Sequence, residues 1–140
     1  AGFEANHTRV DLIAQAYPQL NALAIVSESP MPVDEERRPV LLELLNRANK
    51  PLTLGGFEYD IDRGMLVFRV TNLFERERFD ADIISSMVHC AIAELDRIVP
   101  YAAMVRDTPA DLLPDLDVQR LLAREDLLPP VPGMEEEEEY

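Results

Sequence analysis

Within one short stretch, LLNRANKPLTLGGFEYDIDRGMLVFRV (residues 44–70), the apolar period changes from helical to extended. This switch restricts the chain more than any other feature. Val40, Leu41, Leu44, Leu45 and Ala48 fall on one helical stripe. Asn49, Lys50 and Pro51 stop it. Leu52 and Leu54 then share one face of an extended segment, and Phe57, Tyr59 and Ile61 share another after a slip of one residue. Gly55-Gly56 lies at the slip, where a β-bulge would restore register. Asp62-Arg63-Gly64 has hairpin-turn chemistry, with Gly64 free to turn left-handed. Leu66, Phe68 and Val70 give the return strand its core face.

The flanks extend this plan. Residues 8–17 alternate, with Val10, Leu12, Ala14 and Ala16 on one side and Ile13 and Tyr17 on the other. Pro18–Asn21 supplies a turn, and residues 22–27 are a second apolar run that pairs with the first as a hairpin. Pro30 and Pro32, which donate nothing to a ladder, are expected to end it. Asp34 is the expected N-cap of the first helix, with Pro39 early inside. Asp80 is the expected N-cap of the longest helix, and Phe79 its staple. From Ile83 to Val99 that helix carries a broad apolar stripe, worth about 1.5–3 kcal/mol for each large side chain fully buried, before entropy is subtracted. Pro100 is expected to kink or divide it. Residues 108–125 offer one or two short helices with Thr108-Pro109 at the start.

Hairpins separated by helices imply an α+β fold, an antiparallel sheet of two hairpins with helices packed on one face. Residues 1–106 form the α+β domain, 107–128 a C-terminal helical extension, and 129–140 a Pro-rich, then acidic tail expected to be disordered. The chain opens without Met, as a trimmed piece of a longer protein would.

Composition excludes several functions. The net charge is −14, and such a body repels a phosphate backbone, so nucleic acid is not an expected partner. Cys90 is the sole cysteine, which rules out an internal disulfide and a cysteine-built metal cluster. No apolar run reaches membrane-helix length and no signal peptide opens the chain, so a cytoplasmic protein is expected.

The chemistry-bearing residues do not assemble into a catalytic motif. His89 and Cys90 are helix neighbours, and their side chains diverge by about 100°. His7 lies far from His89, with no metal-site spacing. Asp60-Ile61-Asp62-Arg63-Gly64 resembles the start of a calcium loop, yet the position owed to its bidentate Glu is Thr71. Gly55-Gly56 lacks a phosphate-loop context. No catalytic, cofactor or metal residue is assigned. The alternative is a small-ligand or enzymatic site drawn from Tyr59, Asp60, Asp62, Arg69 or His89. If Leu66, Phe68 and Val70 face the helices, Met65 and Val67 face away, as do Ile13 and Tyr17. These four form a candidate interface on the far side of the sheet, for a second copy or a protein client.

The run from Leu41 to Val70 resembles the YbjN family, the bacterial sensory transduction regulator domain. It carries a helix ending in an LN-x-x-N pattern, Leu45-Asn46 to Asn49. A G-x-F-x-x-D strand follows with Gly55, Phe57 and Asp60, then a Gly turn and an apolar return strand. Residues 14–33 are similar to the cyanobacterial branch. The resemblance implies a type III secretion chaperone-like fold, frequent dimerisation, and a non-enzymatic chaperone-like module or regulatory adaptor. The family fold begins with a helix, whereas none is read here before Thr8.

Overall fold

The computed structural model describes residues 2–4, 9–75 and 78–127. The expected disordered tail, residues 129–140, and His7 lie outside the described residues. In chain order the elements are β1 (Gly2–Glu4), β2 (Arg9–Tyr17), β3 (Ala22–Pro30), α1 (Arg38–Asn49), β4 (Gly56–Asp60), β5 (Met65–Leu73), α2 (Ala81–Asp107) and α3 (Val118–Leu122). The strands form one antiparallel sheet in the order β1-β2-β3-β5-β4. Both expected hairpins are present. They are fused through β3 and β5, from Ala22 opposite Leu73 to Pro30 opposite Met65.

β3 outruns its expected end at residue 27. Met31 donates its N–H across to Gly64 O at 2.8 Å. Backbone alternation therefore points the Pro30 nitrogen toward β2, beyond the last β2 pairing of Asp11 with Glu28, so its missing donor costs no rung.

Helices cover one face. Val10, Ile25, Leu66, Phe68 and Val70 from the sheet meet Leu41, Leu44, Leu45, Leu95, Ile98 and Val105 from α1 and α2 in one buried core. Phe57 and Phe68 pack edge to face, centroids 5.0 Å apart. Ser27, buried in β3, donates to Ala91 O of α2 at 2.7 Å, which satisfies its hydroxyl and ties helix to sheet. Val118 and Leu121 of α3 join the same core.

Asp80 caps α2 as expected, accepting from Asp82 N at 2.8 Å and Ile83 N at 3.2 Å. Phe79 packs beside Phe74, centroids 5.0 Å apart. Pro100 neither ends nor divides α2, which runs on to Asp107. Buried neighbours on both sides of it, Ile98, Val99, Tyr101 and Ala102, hold the helix against the core across the missing rung. Asp34 does not open α1 directly. It caps a preceding turn through Arg37 N at 2.9 Å, and the helix starts four residues later at Arg38. Thr108 does not start a helix either. It closes α2, while Asp117 caps α3 through Arg120 N at 3.1 Å.

The bulge expected at Gly55-Gly56 is absent. β4 begins at Gly56, and Leu52 and Leu54 precede it in an irregular loop, with Leu54 exposed. Gly55 adopts φ +70°, and a Cβ there would lie 2.5 Å from Arg69 O and 2.9 Å from the Phe68 ring. The glycine thus permits a close approach of loop to β5, rather than an extra residue within the strand.

Candidate functional site

Two regions of the surface merit description from their residues upward. The first is the outer face of the sheet. Ile13, Val26 and Val67 floor a shallow depression there of about 310 Å³. Its rim is charged. Arg63 of the β4–β5 turn pairs with Glu28 and with Asp60, the latter at 2.8 Å. Arg69 pairs with Glu58 at 3.0 Å. The Arg63 guanidinium holds the Asp60 carboxyl below its usual value, despite some loss of hydration. Glu28 is nearly buried whereas Arg63 is about half exposed, so the pair spans the boundary between floor and water.

Part of the apolar cluster expected on that face is buried. Val67 is only 4% exposed, and with Ala24, Val26 and Met65 it forms a small core of its own. Long Arg and Glu side chains lie over apolar neighbours in this way, keeping their charged ends wet. Ile13 and Tyr17 are the two members of the expected interface that stay exposed, at 40% each.

The second region is the end of the sheet where α2 begins. Tyr17, Ala22 and Leu73 stand in one row across β2, β3 and β5. Phe74 N bonds to Asn21 O at 2.7 Å, holding the β2–β3 turn against the end of β5. Phe74 in turn packs on Phe79 just before α2. Tyr17, Leu20, Leu54, Leu73, Phe79 and Ile83 are all exposed, and of these Leu54 and Ile83 share one groove. Between the first turns of α2, the end of β5 and the loop before β4 runs a groove of about 290 Å³. Leu54, Ile83, Val70 and Met87 form its walls, Cys90 lies at its base, and Asp82 stands at its lip. Burial, aided by Glu94, pushes the Cys90 thiol up, which makes it a poor nucleophile. In the sequence Ile83 belongs to the apolar stripe of the long helix, Phe79 is its staple residue, and Leu54 shares a face with Leu52. Ile83, Phe79 and Leu54 are all exposed in the fold, which periodicity does not signal.

The residues of the alternative small-ligand site do not converge. Asp60 and Arg69 line the outer depression, each already paired. The Tyr59 hydroxyl instead donates to Met31 O at 2.8 Å. His89 is exposed on α2. Among the described residues no group of three or more His, Cys, Asp or Glu could hold a metal ion. Among them, too, no helix is long and apolar enough to cross a membrane.

The recurring patterns of the central segment have structural roles. Asn49, the last residue of α1, lies beside the outer edge of β4. Its Oδ1 accepts from Phe57 N at 2.7 Å and its Nδ2 donates to Phe57 O at 3.1 Å. The carboxamide thus imitates a neighbouring strand and closes part of the sheet edge. Asp60 accepts from Arg63 N at 3.2 Å and shapes the turn.

An antiparallel sheet with helices on one face, ion pairs on the outer face and an apolar groove at one end define an α+β domain. The chain belongs to the YbjN family, described as "Putative bacterial sensory transduction regulator", whose model matches residues 2–103. No curated protein and no solved structure gives a match.

Proposed function

We propose that this chain is a non-enzymatic, chaperone-like protein-binding module of the YbjN family, acting as a regulatory adaptor in the cytoplasm. One observation carries the proposal: the exposed Leu54 and Ile83 line, with Val70 and Met87, an apolar groove at the α2 end of the sheet. Contiguous apolar surface of this kind marks interaction sites, whereas single exposed residues such as Leu42 and Leu112 are ordinary. The free thiol of Cys90 accords with a reducing compartment.

The test is affinity capture with paired variants. Leu54→Ser with Ile83→Ser strips the groove, while Leu42→Ser with Leu112→Ser removes comparable apolar surface elsewhere. Partners retained by the wild type and by the control pair, but lost from the groove pair, support the proposal. Equal retention by both pairs refutes it.

Self-association is a second element of the proposal, through the outer face at Ile13 and Tyr17 with Met65 and Val67 beneath. The exposure of Ile13 and Tyr17 favours it. Light scattering should report a dimer that Ile13→Lys with Tyr17→Lys converts to monomer. A wild-type monomer at all concentrations removes this element.

A further inference from the structure

We propose that the groove at the α2 end takes a basic, apolar peptide segment of another protein, with an apolar side chain in the groove and a Lys or Arg beside Asp82. The inference rests on the protein-binding reading and names the chemistry of its partner. Three observations lead to it.

The first is size. At about 290 Å³ the groove falls at or below the lower bound for small-molecule sites, which begin near 300 Å³. It suits one anchoring side chain better than a whole metabolite. The second is its lining. Leu54, Val70, Ile83 and Met87 are apolar, and no basic residue lines the groove. Asp82 is the sole charged group there. Its carboxylate makes no ion pair among the described residues, unlike the carboxylates of Glu28, Glu58 and Asp60 on the outer face. The groove therefore offers, beside an apolar slot, a carboxylate that has no ion-pair partner among the described residues and is set in the first turn of α2.

The third is the charge of the whole chain. In a chain of net charge −14, a second copy would bring mostly acidic surface to this groove, and the Glu135–Glu139 run of the chain itself carries the wrong sign for Asp82. A basic segment is drawn by the same field. Apolar contact then supplies affinity, and the charge supplies selection and speed of encounter.

Cys90 makes the proposal directly testable, because the sole thiol of the chain lies at the base of this groove. The probes are a short Leu–Lys peptide and its Leu–Glu twin, added to the full chain while Cys90 reacts with a chromogenic thiol reagent. With the Leu–Lys peptide at about ten times its dissociation constant, the reaction should slow about tenfold, since only the unoccupied fraction reacts. The Leu–Glu twin should leave the rate unchanged. Asp82→Lys should weaken the Leu–Lys peptide about fivefold, the effect of one partly screened ion pair. Leu54→Ser with Ile83→Ser should abolish protection, which attraction to the overall charge alone would not predict.

Equal protection by both peptides overturns the charge selection and leaves the protein-binding reading intact. No protection by either peptide overturns the inference, and the capture experiment then judges the broader reading independently. Protection that grows with protein concentration, without peptide, means a second copy fills the groove. Slow reaction at every protein concentration, relieved only by removing residues 129–140, means the chain fills its own groove. Either result overturns the proposal.

Discussion

Asn49→Ala should be among the most costly substitutions of a partly exposed residue in this protein. The change deletes both hydrogen bonds to Phe57, at 2.7 and 3.1 Å. Each such bond nets roughly 1 kcal/mol, so about 2 kcal/mol is the starting figure. Phe57 is only 5% exposed, so water does not readily replace the carboxamide. A backbone group left unpaired in a dry position costs about 1–3 kcal/mol, which raises the upper end to about 4 kcal/mol. At the size of this chain, that corresponds to a fall in Tm of about 6–14 °C. Urea unfolding followed by circular dichroism measures the loss. Hydrogen exchange at the Phe57 amide supplies a local check, since that N–H should open faster than its strand neighbours bonded to β5. Asn49→Asp keeps an acceptor for Phe57 N but turns an ionised oxygen toward Phe57 O, so at neutral pH it should not restore stability. A loss under about 0.5 kcal/mol for Asn49→Ala, with unchanged exchange at Phe57, would show that the carboxamide does not secure the edge.

The two left-handed glycines should differ in their response. Gly55→Ala meets Arg69 O and the Phe68 ring, whereas the nearest atom to a Cβ on Gly64 is Pro32 Cα at 3.5 Å. Gly64→Ala should therefore cost only the backbone strain of about 1 kcal/mol, and Gly55→Ala distinctly more, by the same urea assay. Arg63→Ala should lower Tm more than Arg69→Ala, because Glu28 is nearly buried while Glu58 is exposed, and only the first change strands a shielded carboxylate. Restoring neutrality with Glu28→Gln should recover part of that loss. Asp60 has a folded pKa below its ordinary 3.8, so its contribution is complete above 3.8 and is lost as pH falls through the lower folded value. Asp60→Asn should flatten the decline of Tm on that acid side, and the effect should be small because the carboxylate stays partly in water.

Much of this architecture is written in local pattern. Alternation at residues 8–17 and 65–70 marks strands, and the stripes beginning at Val40 and Ile83 mark helices, because period alone separates one exposed face from one buried face. Asp80 and Gly64 were legible for a similar reason: a cap or a left-handed turn is satisfied within a few residues. Long-range effects were not legible in that way. The continuation of β3 through Pro30 depends on which side of the strand has a partner, and the survival of α2 across Pro100 depends on the core that clasps it. Asn49 read as a helix stop, and only the folded chain shows it completing the edge of β4.

The sequence by itself determined the antiparallel α+β plan and the acidic character of the molecule, because each is a property of single residues or of their spacing. The tertiary structure alone decided where apolar surface remains in contact with water. It buried Val67 among Ala24, Val26 and Met65, and left Leu54 and Ile83 exposed at the end of the sheet. The reason is physical: exposure depends on what distant parts of the chain fail to cover, and the length and offset of a covering helix relative to a sheet are set by packing, which no local period encodes.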